Sequence, residues 1–129
     1  MTITPAWENY LKTILELSIQ NGEARVTDIS ARLGVTKATV SQTVKKMMDY
    51  GLTEKSLYGS VFLTDAGKAK AMEVQNRNAV IRRFLTDVLG VNRRTSEADA
   101  CKMEHLVSSE TLTKLEEYLT NAERGVFLK

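Results

Sequence analysis

Three residues in the last third of the sequence carry the side chains best suited to chemistry: Cys101, Glu104 and His105. Their i, i+3, i+4 spacing would project a thiolate, a carboxylate and an imidazole from one face of a helix. Thiolate and imidazole ligands favour Fe²⁺, Co²⁺, Ni²⁺ or Zn²⁺ over Mg²⁺ and Ca²⁺, which prefer oxygen. The pattern indicates a transition metal site, although it is also typical of a buried Cys, a solvated Glu and a capping His.

The same residues allow a catalytic interpretation, in which Cys101 is a nucleophile and His105 its base. That mechanism needs a third group to orient the base and a loop to hold the substrate, and the sequence offers neither. We therefore expect a protein that is not an enzyme and has no small-molecule substrate.

A second set of polar residues begins at Thr36 and keeps helical spacing opposite the apolar Val40 and Val44. Such a face could enter the major groove of DNA, where Gln42 would pair with an adenine edge. The predicted DNA-contacting residues are Arg25, Thr36, Lys37, Ala38, Thr39, Ser41, Gln42, Lys45, Lys46 and Tyr58.

The roles within this set follow from side-chain chemistry. Ser41 and Thr39 suit a base or a phosphate, and the Ala38 methyl suits a thymine methyl. The lysines, joined by Arg25, would neutralise phosphates, which gives affinity without sequence information. Tyr58 would meet the DNA backbone or the minor groove. The alternative is an ordinary solvated helix face.

These residues need a scaffold, and the sequence pattern predicts one. Apolar spacing predicts a helix over 5–20, a short helix from the N-cap Thr27 to Gly34, and a third from Thr36 to Tyr50. Two strands over 52–57 and 60–64 follow, joined by a turn. Two helices with a short turn and a hairpin define a winged helix-turn-helix.

The second half of the chain is predicted to be helical throughout. A long helix runs from Thr64 or Asp65 to Leu89, a fifth from Thr95 or Ser96 to about residue 107, and a sixth starts at Ser108 or Ser109. Residues 125–129 have no clear assignment. The fold class is mostly α: a winged helix-turn-helix domain with a β-hairpin wing over 1–70, then an all-α domain over 71–129.

Composition and charge agree with a DNA-binding protein. The 129 residues include one Cys and are 43% apolar and 26% charged, as in a globular fold. No apolar run reaches the roughly 20 residues of a membrane span, and no signal peptide is recognisable, so we expect a cytoplasmic protein without membrane partners. The net charge is −2 over 1–24, +7 over 25–94 and −3 over 95–129, which suits a central surface that meets a polyanion.

Several stretches together resemble the diphtheria toxin repressor family of metal-dependent transcriptional regulators, in its short two-domain form. They are NYLKTI at 9–14, TVSQTV at 39–44, Leu63-Thr64 with Gly67, residues 84–90, and CKMEHLVS at 101–108. The resemblance implies a homodimer that binds a palindromic DNA operator and represses genes of iron or manganese homeostasis. It also implies that the all-α domain over 71–129 is a dimerisation and metal-binding domain. A further implication is a metal that joins the first helix to the second domain and so sets the spacing of the two recognition helices.

The resemblance assigns the primary metal site to Cys101, Glu104 and His105, with Asn9 at the position of a ligand from the first helix. Iron-responsive members carry Cys where manganese-responsive members carry Glu, so Cys101 favours Fe²⁺, with Mn²⁺ or Zn²⁺ as other candidates.

Other positions depart from the family pattern. Lys12 stands where manganese-type members have a Glu ligand, and Asn78, Arg82 and Glu97 stand where iron-type members place His, Glu and His in a second site. Arg82 and Glu97 could instead form an ion pair. The alternative interpretation is therefore a winged-helix regulator that has lost its metal switch, with Lys12 replacing the ion.

Overall fold

The fold was obtained as a computed structural model, which describes residues 3–123. It confirms the predicted class, a mostly helical chain with a small sheet and a winged helix-turn-helix. The elements are α1 (Pro5–Asn21), β1 (Ala24–Arg25), α2 (Val26–Leu33), α3 (Lys37–Asp49), β2 (Thr53–Lys55), β3 (Ser60–Leu63), α4 (Asp65–Arg83), a π-helix (Phe84–Val88), α5 (Arg93–Met103) and α6 (Ser109–Glu123). The unassigned tail 125–129 lies outside the described residues.

The two helices of the helix-turn-helix are separated by a tight turn. Gly34 ends α2 in the left-handed conformation, with φ at 68°, which glycine adopts without a steric penalty. Thr36 begins α3 as predicted, because its Oγ1 accepts a hydrogen bond from the Thr39 N–H at 3.1 Å. The predicted N-cap Thr27 is wrong: α2 already begins at Val26, since pairing of β1 with β3 fixes the chain just before it.

A three-stranded antiparallel sheet of order β1-β3-β2 forms the wing and its base. The register pairs Thr53 with Leu63 across the hairpin and Ala24 with Val61 on the other side. The hairpin was predicted, but its strands are shorter than expected because the turn takes four residues rather than two. The strand β1 was not predicted, because two residues are too few for a periodic signal.

The chain divides into two compact units between Glu73 and Val74, a point within α4. The core of the first unit contains apolar residues from all three of its leading helices and from the sheet, among them Leu11, Ile14, Ile29, Val40, Val44, Met47 and Val61. The second unit has its own smaller core, built on Ile81, Leu85 and Ala100.

Helix ends in the second unit differ from the predicted ones. The long helix widens into a π-helix, in which the Leu89 N–H donates to the Phe84 carbonyl five residues back. The fifth helix begins after Asn92, whose side chain accepts from the Arg94 N–H at 2.8 Å, and not at Thr95 or Ser96. The sixth helix is capped by Ser108 as predicted. Across the described part of the chain, no helix has the length and apolar character needed to cross a membrane.

Candidate functional site

The third helix separates a buried face from a polar face. Val40, Val44 and Met47 are completely buried in the core of the first unit. The predicted contact residues of this helix lie on other sides: Thr36, Lys37, Ala38, Thr39, Gln42, Lys45 and Lys46 are exposed and Ser41 is half-buried. The apolar contacts therefore hold the helix in place and leave the side chains that could contact bases in solvent.

The lysines of α3 are available to an anionic partner. Within residues 3–123, no ion pair involves Lys37, Lys45 or Lys46, whereas Arg32 on the preceding helix pairs with Glu16 at 3.3 Å. Uncompensated ammonium groups beside a polar helix face are suited to phosphate contacts.

Arg25 differs from those lysines, because it already has a partner. Its Nε lies 3.0 Å from Glu23 Oε1, and Glu23 Oε2 accepts a hydrogen bond from Ser60 Oγ at 2.8 Å. The bond from Ser60, followed by the charge of Arg25, holds the pKa of Glu23 below its ordinary value. Sequence reasoning missed Glu23, which lies just before β1, a strand that the sequence did not predict.

The wing is tied to α3 by a buried hydrogen bond. The hydroxyl of Thr53, on β2, donates to the Val44 carbonyl at 3.0 Å. The wing therefore has a fixed position relative to the exposed face of α3. Tyr58 lies at its tip and is 85% exposed, on the surface where the sequence predicts a DNA contact.

The predicted metal ligands are only partly brought together. Glu104 is fully buried, and its Oε1 lies 3.2 Å from Nε2 of the largely buried His105. Cys101 is exposed, and its sulfur accepts a hydrogen bond from Asn78 Nδ2 at 3.7 Å. Asn9 is half-buried on α1, in the other unit. No sequence signal pointed to the contact between Asn78 and Cys101.

The helix under this cluster is shorter than predicted. It ends at Met103, whose carbonyl accepts hydrogen bonds from the N–H groups of both Leu106 and Val107. The chain turns over residues 104–107, and Ser108 then caps the next helix. Glu104 keeps helical dihedrals as the C-cap, but His105 belongs to the turn, so one straight helix does not present all three side chains.

The donors fit a metal ion in part. Two ligands of one ion, each about 2.1 Å from it, lie roughly 3.0–3.4 Å apart, and the Glu104–His105 distance of 3.2 Å matches that spacing. Thiolate, carboxylate and imidazole are also the right types for a first-row transition metal. However, among the described residues no three His, Cys, Asp or Glu side chains are grouped as a metal site requires.

Two alternatives from the sequence find no support in these contacts. In the nucleophilic alternative Cys101 would pair with His105, but the Cys101 sulfur accepts a hydrogen bond from Asn78 at 3.7 Å and His105 lies against Glu104 at 3.2 Å. The predicted pairing of Arg82 with Glu97 is wrong: Glu97 pairs with Arg93 of its own helix at 3.3 Å. Their i, i+4 spacing makes that contact easier than one between two elements.

The first unit defines a class: a winged helix-turn-helix with an exposed, basic recognition helix, as found in DNA-binding proteins. Comparisons with known proteins agree with this class. Residues 2–61 match the iron dependent repressor N-terminal DNA binding domain, and residues 64–125 match the iron dependent repressor metal binding and dimerisation domain.

Individual relatives agree with both matches. The transcriptional regulator MntR of Escherichia coli O157:H7 is 41% identical over 105 residues, which are 81% of this chain and 67% of the relative. The diphtheria toxin repressor of Corynebacterium efficiens is 35% identical over 120 residues, 93% of this chain and 52% of the relative. The crystal structure of the metal-dependent transcriptional regulator MtsR superposes with a TM-score of 0.82 at 29% identity, over 92% of this chain and 55% of that one.

The chain belongs to the iron-dependent repressor family, the family of the diphtheria toxin repressor. It spans about two thirds of the length of the MntR relatives and about half that of the diphtheria toxin repressors.

Proposed function

We propose that the chain is a homodimeric, metal-responsive transcriptional repressor of the cytoplasm that binds palindromic operator DNA and controls iron or manganese homeostasis. The observation that carries this proposal is the recognition helix α3, which is held by a buried apolar face and exposes a polar, lysine-rich one. Membership of a family of repressors supports the same function.

The recognition helix would read DNA from the major groove. Gln42 is exposed in the middle of α3 and can bond an adenine edge through both its amide atoms. The Ala38 methyl, one helical turn earlier, suits a thymine methyl. Lys37, Lys45 and Lys46 would bind phosphates and thereby set the register of the helix in the groove.

A dimer would present two such helices to one duplex. The second unit matches a dimerisation domain, and a two-fold symmetric protein reads two half-sites one helical turn, about 10 bp, or a multiple of it apart. The operator is therefore expected to be a palindrome.

Metal responsiveness is proposed for the cluster in the second unit. Cys101, Glu104 and His105 would hold the ion, with Asn9 as an oxygen donor. Fe²⁺ is the favoured ion because iron-responsive members of the family carry Cys at this position, and Mn²⁺ or Zn²⁺ are the other candidates. When bound, the ion would supply fixed charge and a link between its ligands. Linkage then requires that DNA affinity and metal affinity change by the same factor.

The test is an electrophoretic mobility shift with fragments of the source genome, run anaerobically in chelator and then with Fe²⁺, Mn²⁺ or Zn²⁺. We expect a specific shift that strengthens with one of these ions. A chain that shifts no fragment under any condition would contradict the proposed function. The variant Cys101→Ser, which keeps the size of the side chain but removes the soft ligand, should respond less to Fe²⁺ than the wild type.

A second candidate is a regulator of the same architecture whose DNA binding is independent of metal. It is favoured by the absence, within residues 3–123, of a group of three metal-binding side chains, and by Asn78, which contacts Cys101 at 3.7 Å. Lys12 also carries an ammonium where manganese-type members have a ligand. An equal mobility shift in chelator and in every metal would favour this candidate over the first.

A further inference from the structure

One threonine connects the chain just after the recognition helix to the start of the long helix. Thr64 precedes α4, and its hydroxyl accepts a hydrogen bond from the Gly67 N–H at 3.1 Å, as an N-cap does. The same hydroxyl donates to the Gly51 carbonyl at 2.6 Å, and the Thr64 N–H donates to the Leu52 carbonyl at 3.1 Å. Gly51 and Leu52 directly follow the C-cap of α3. We call these four residues the α3–α4 joint.

The joint is closely packed as well as hydrogen-bonded. Gly67 is buried, and a Cβ added there would overlap the Leu52 carbonyl oxygen. The Leu52 N–H donates in turn to the carbonyl of Met47 at 3.0 Å, and Met47, in the last turn of α3, is completely buried. The first turn of α4 is thus held against the end of the recognition helix, and little room is left for it to tilt.

Capping α4 does not require the bond to Gly51. Ser, Thr, Asp and Asn all cap helices through a side-chain oxygen that accepts a hydrogen bond. The bond to the Gly51 carbonyl uses the Thr64 hydroxyl as a donor, a role that Ser shares and an ionised Asp lacks. The donor bond therefore goes beyond what the start of α4 needs, and it ends on the chain that leaves the recognition helix.

The position of the joint indicates which property it controls. The match to the DNA binding domain ends at residue 61, and the match to the metal binding and dimerisation domain begins at residue 64. A dimer must present its two copies of α3 one helical turn of DNA apart, or a multiple of it. The separation of those copies depends on how firmly each α3 is attached to the residues that join the two chains.

We propose that Thr64 is a positioning residue that fixes α3 to α4 and thereby sets the half-site spacing that the dimer selects. This inference rests on the proposed function. The bond from Thr64 to Gly51 limits the freedom of α3 to swing about the joint, so a duplex with the wrong spacing cannot accept both copies. Loss of the bond weakens binding at the right spacing, because ordering the two recognition helices then costs entropy, and it relaxes the rejection of other spacings.

The test uses the full chain and a duplex that the wild type selects from a random-sequence pool. One base pair is added to or removed from the centre of that duplex, which moves one half-site by about 3.4 Å and turns it by about 35°. The spacing ratio is the affinity for the selected duplex divided by that for the altered one, measured by fluorescence anisotropy. Thr64→Asp, which keeps the cap and removes the donor, should lower this ratio about fivefold, the effect of one hydrogen bond on an equilibrium constant. Thr64→Ser, which keeps both roles, should leave it unchanged.

Thr4 offers a matched control. It caps α1 by accepting from the Trp7 N–H at 3.2 Å, and Thr4→Asp makes the same change of side chain and charge at another helix start of the first unit. It should leave the spacing ratio unchanged. Thr64→Val, which removes cap and donor together, should lower the ratio like Thr64→Asp and should also melt at a lower temperature. If Thr64→Val does not fold, the comparison of Thr64→Asp with Thr64→Ser decides.

Four outcomes would overturn the inference. If Thr64→Asp keeps the wild-type ratio, Thr64 only caps α4. If Thr4→Asp lowers the ratio as much as Thr64→Asp does, the effect comes from added negative charge and not from the joint. If the wild type selects a duplex but binds every spacing alike, the joint sets no spacing. If the wild type selects no duplex at all, the proposed function fails together with the inference.

Discussion

At the scale of single residues, the positive charges of the first unit divide into two groups. Lys37, Lys45 and Lys46 have no ion-pair partner among residues 3–123, whereas Arg25 is paired with Glu23 at 3.0 Å. A charge that is already compensated gains less from a phosphate. We therefore expect the lysines to supply most of the electrostatic affinity for DNA.

The division between base contacts and phosphate contacts can be measured on α3. The wild type can be used to select a duplex from a random-sequence pool. Gln42→Ala should reduce the difference in binding free energy between this selected duplex and variants of it by about 1–3 kcal/mol, because a bidentate base contact is lost. Lys46→Ala should weaken all sequences alike and lower the salt slope by about 1 for each protomer of the dimer. Fluorescence anisotropy over a salt series measures both.

Arg25→Ala is the matched control and should lower the slope less than Lys46→Ala. If neither Gln42→Ala nor Lys46→Ala has its effect, α3 is not the helix that reads DNA.

The Glu23 carboxylate gives a pH dependence with a definite sign. Its pKa in the folded chain is lowered by Ser60 and Arg25, so its stabilising contribution is present above the ordinary pKa of a Glu and is lost as the pH falls through the folded value. Glu23→Gln should melt at a lower temperature than wild type at neutral pH, and the difference should shrink on acidification. Glu54→Gln, at an exposed residue of β2, is the control and should cost less at neutral pH. A difference for Glu23→Gln that grows in acid would contradict this account.

At the scale of elements, the sequence predicted what local chemistry determines. Thr36 and Ser108 cap α3 and α6 as expected, and Gly34 forms the left-handed turn between α2 and α3. The strand β1 was missed, because its pairing with β3 joins residues more than 30 apart in the sequence. The π-helix was missed because no residue pattern distinguishes it from the end of α4.

The metal cluster marks another limit of the sequence. The spacing of Cys101, Glu104 and His105 assumes a continuous helix, but α5 ends at Met103. The contact of Asn78 with Cys101 joins residues of two different helices, so spacing within one helix does not reveal it. Spacing alone therefore predicts candidate ligands and not their grouping.

One glycine controls how the long helix joins the wing. Gly67 lies in the first turn of α4, where an added Cβ would overlap the Leu52 carbonyl oxygen. Gly→Ala in an unobstructed helix stabilises by about 0.5–1 kcal/mol, but overpacking costs about 1–3 kcal/mol. We expect Gly67→Ala to destabilise the protein in urea denaturation, whereas Lys68→Ala at the next, exposed position should not. A stabilised Gly67→Ala would show that α4 does not pack closely on Leu52.

At the scale of the whole molecule, one chain joins residues that match a DNA binding domain to residues that match a metal binding and dimerisation domain. The proposed regulation depends on coupling between them. The coupling free energy between two allosteric sites is typically about 1–3 kcal/mol.

Lys12 tests whether a metal switch can be strengthened. Lys12→Glu places a carboxylate where manganese-type members carry a ligand, and it should increase the ratio of DNA affinities in Mn²⁺ and in chelator by roughly tenfold. Lys12→Gln removes the charge without adding a carboxylate and is the control. Anisotropy with the selected duplex measures the ratio. An equal ratio for wild type, Lys12→Glu and Lys12→Gln would mean that this position is not linked to metal.

Hydroxyl-radical footprinting on the selected duplex tests most directly whether a dimer reads duplex DNA with two copies of α3. We expect two protected half-sites related by symmetry, separated by about 10 bp or a multiple of it, and loss of both in Gln42→Ala at the concentration that saturates the wild type. A single protected site, or protection that Gln42→Ala leaves intact, would show that the DNA is not read by two copies of α3.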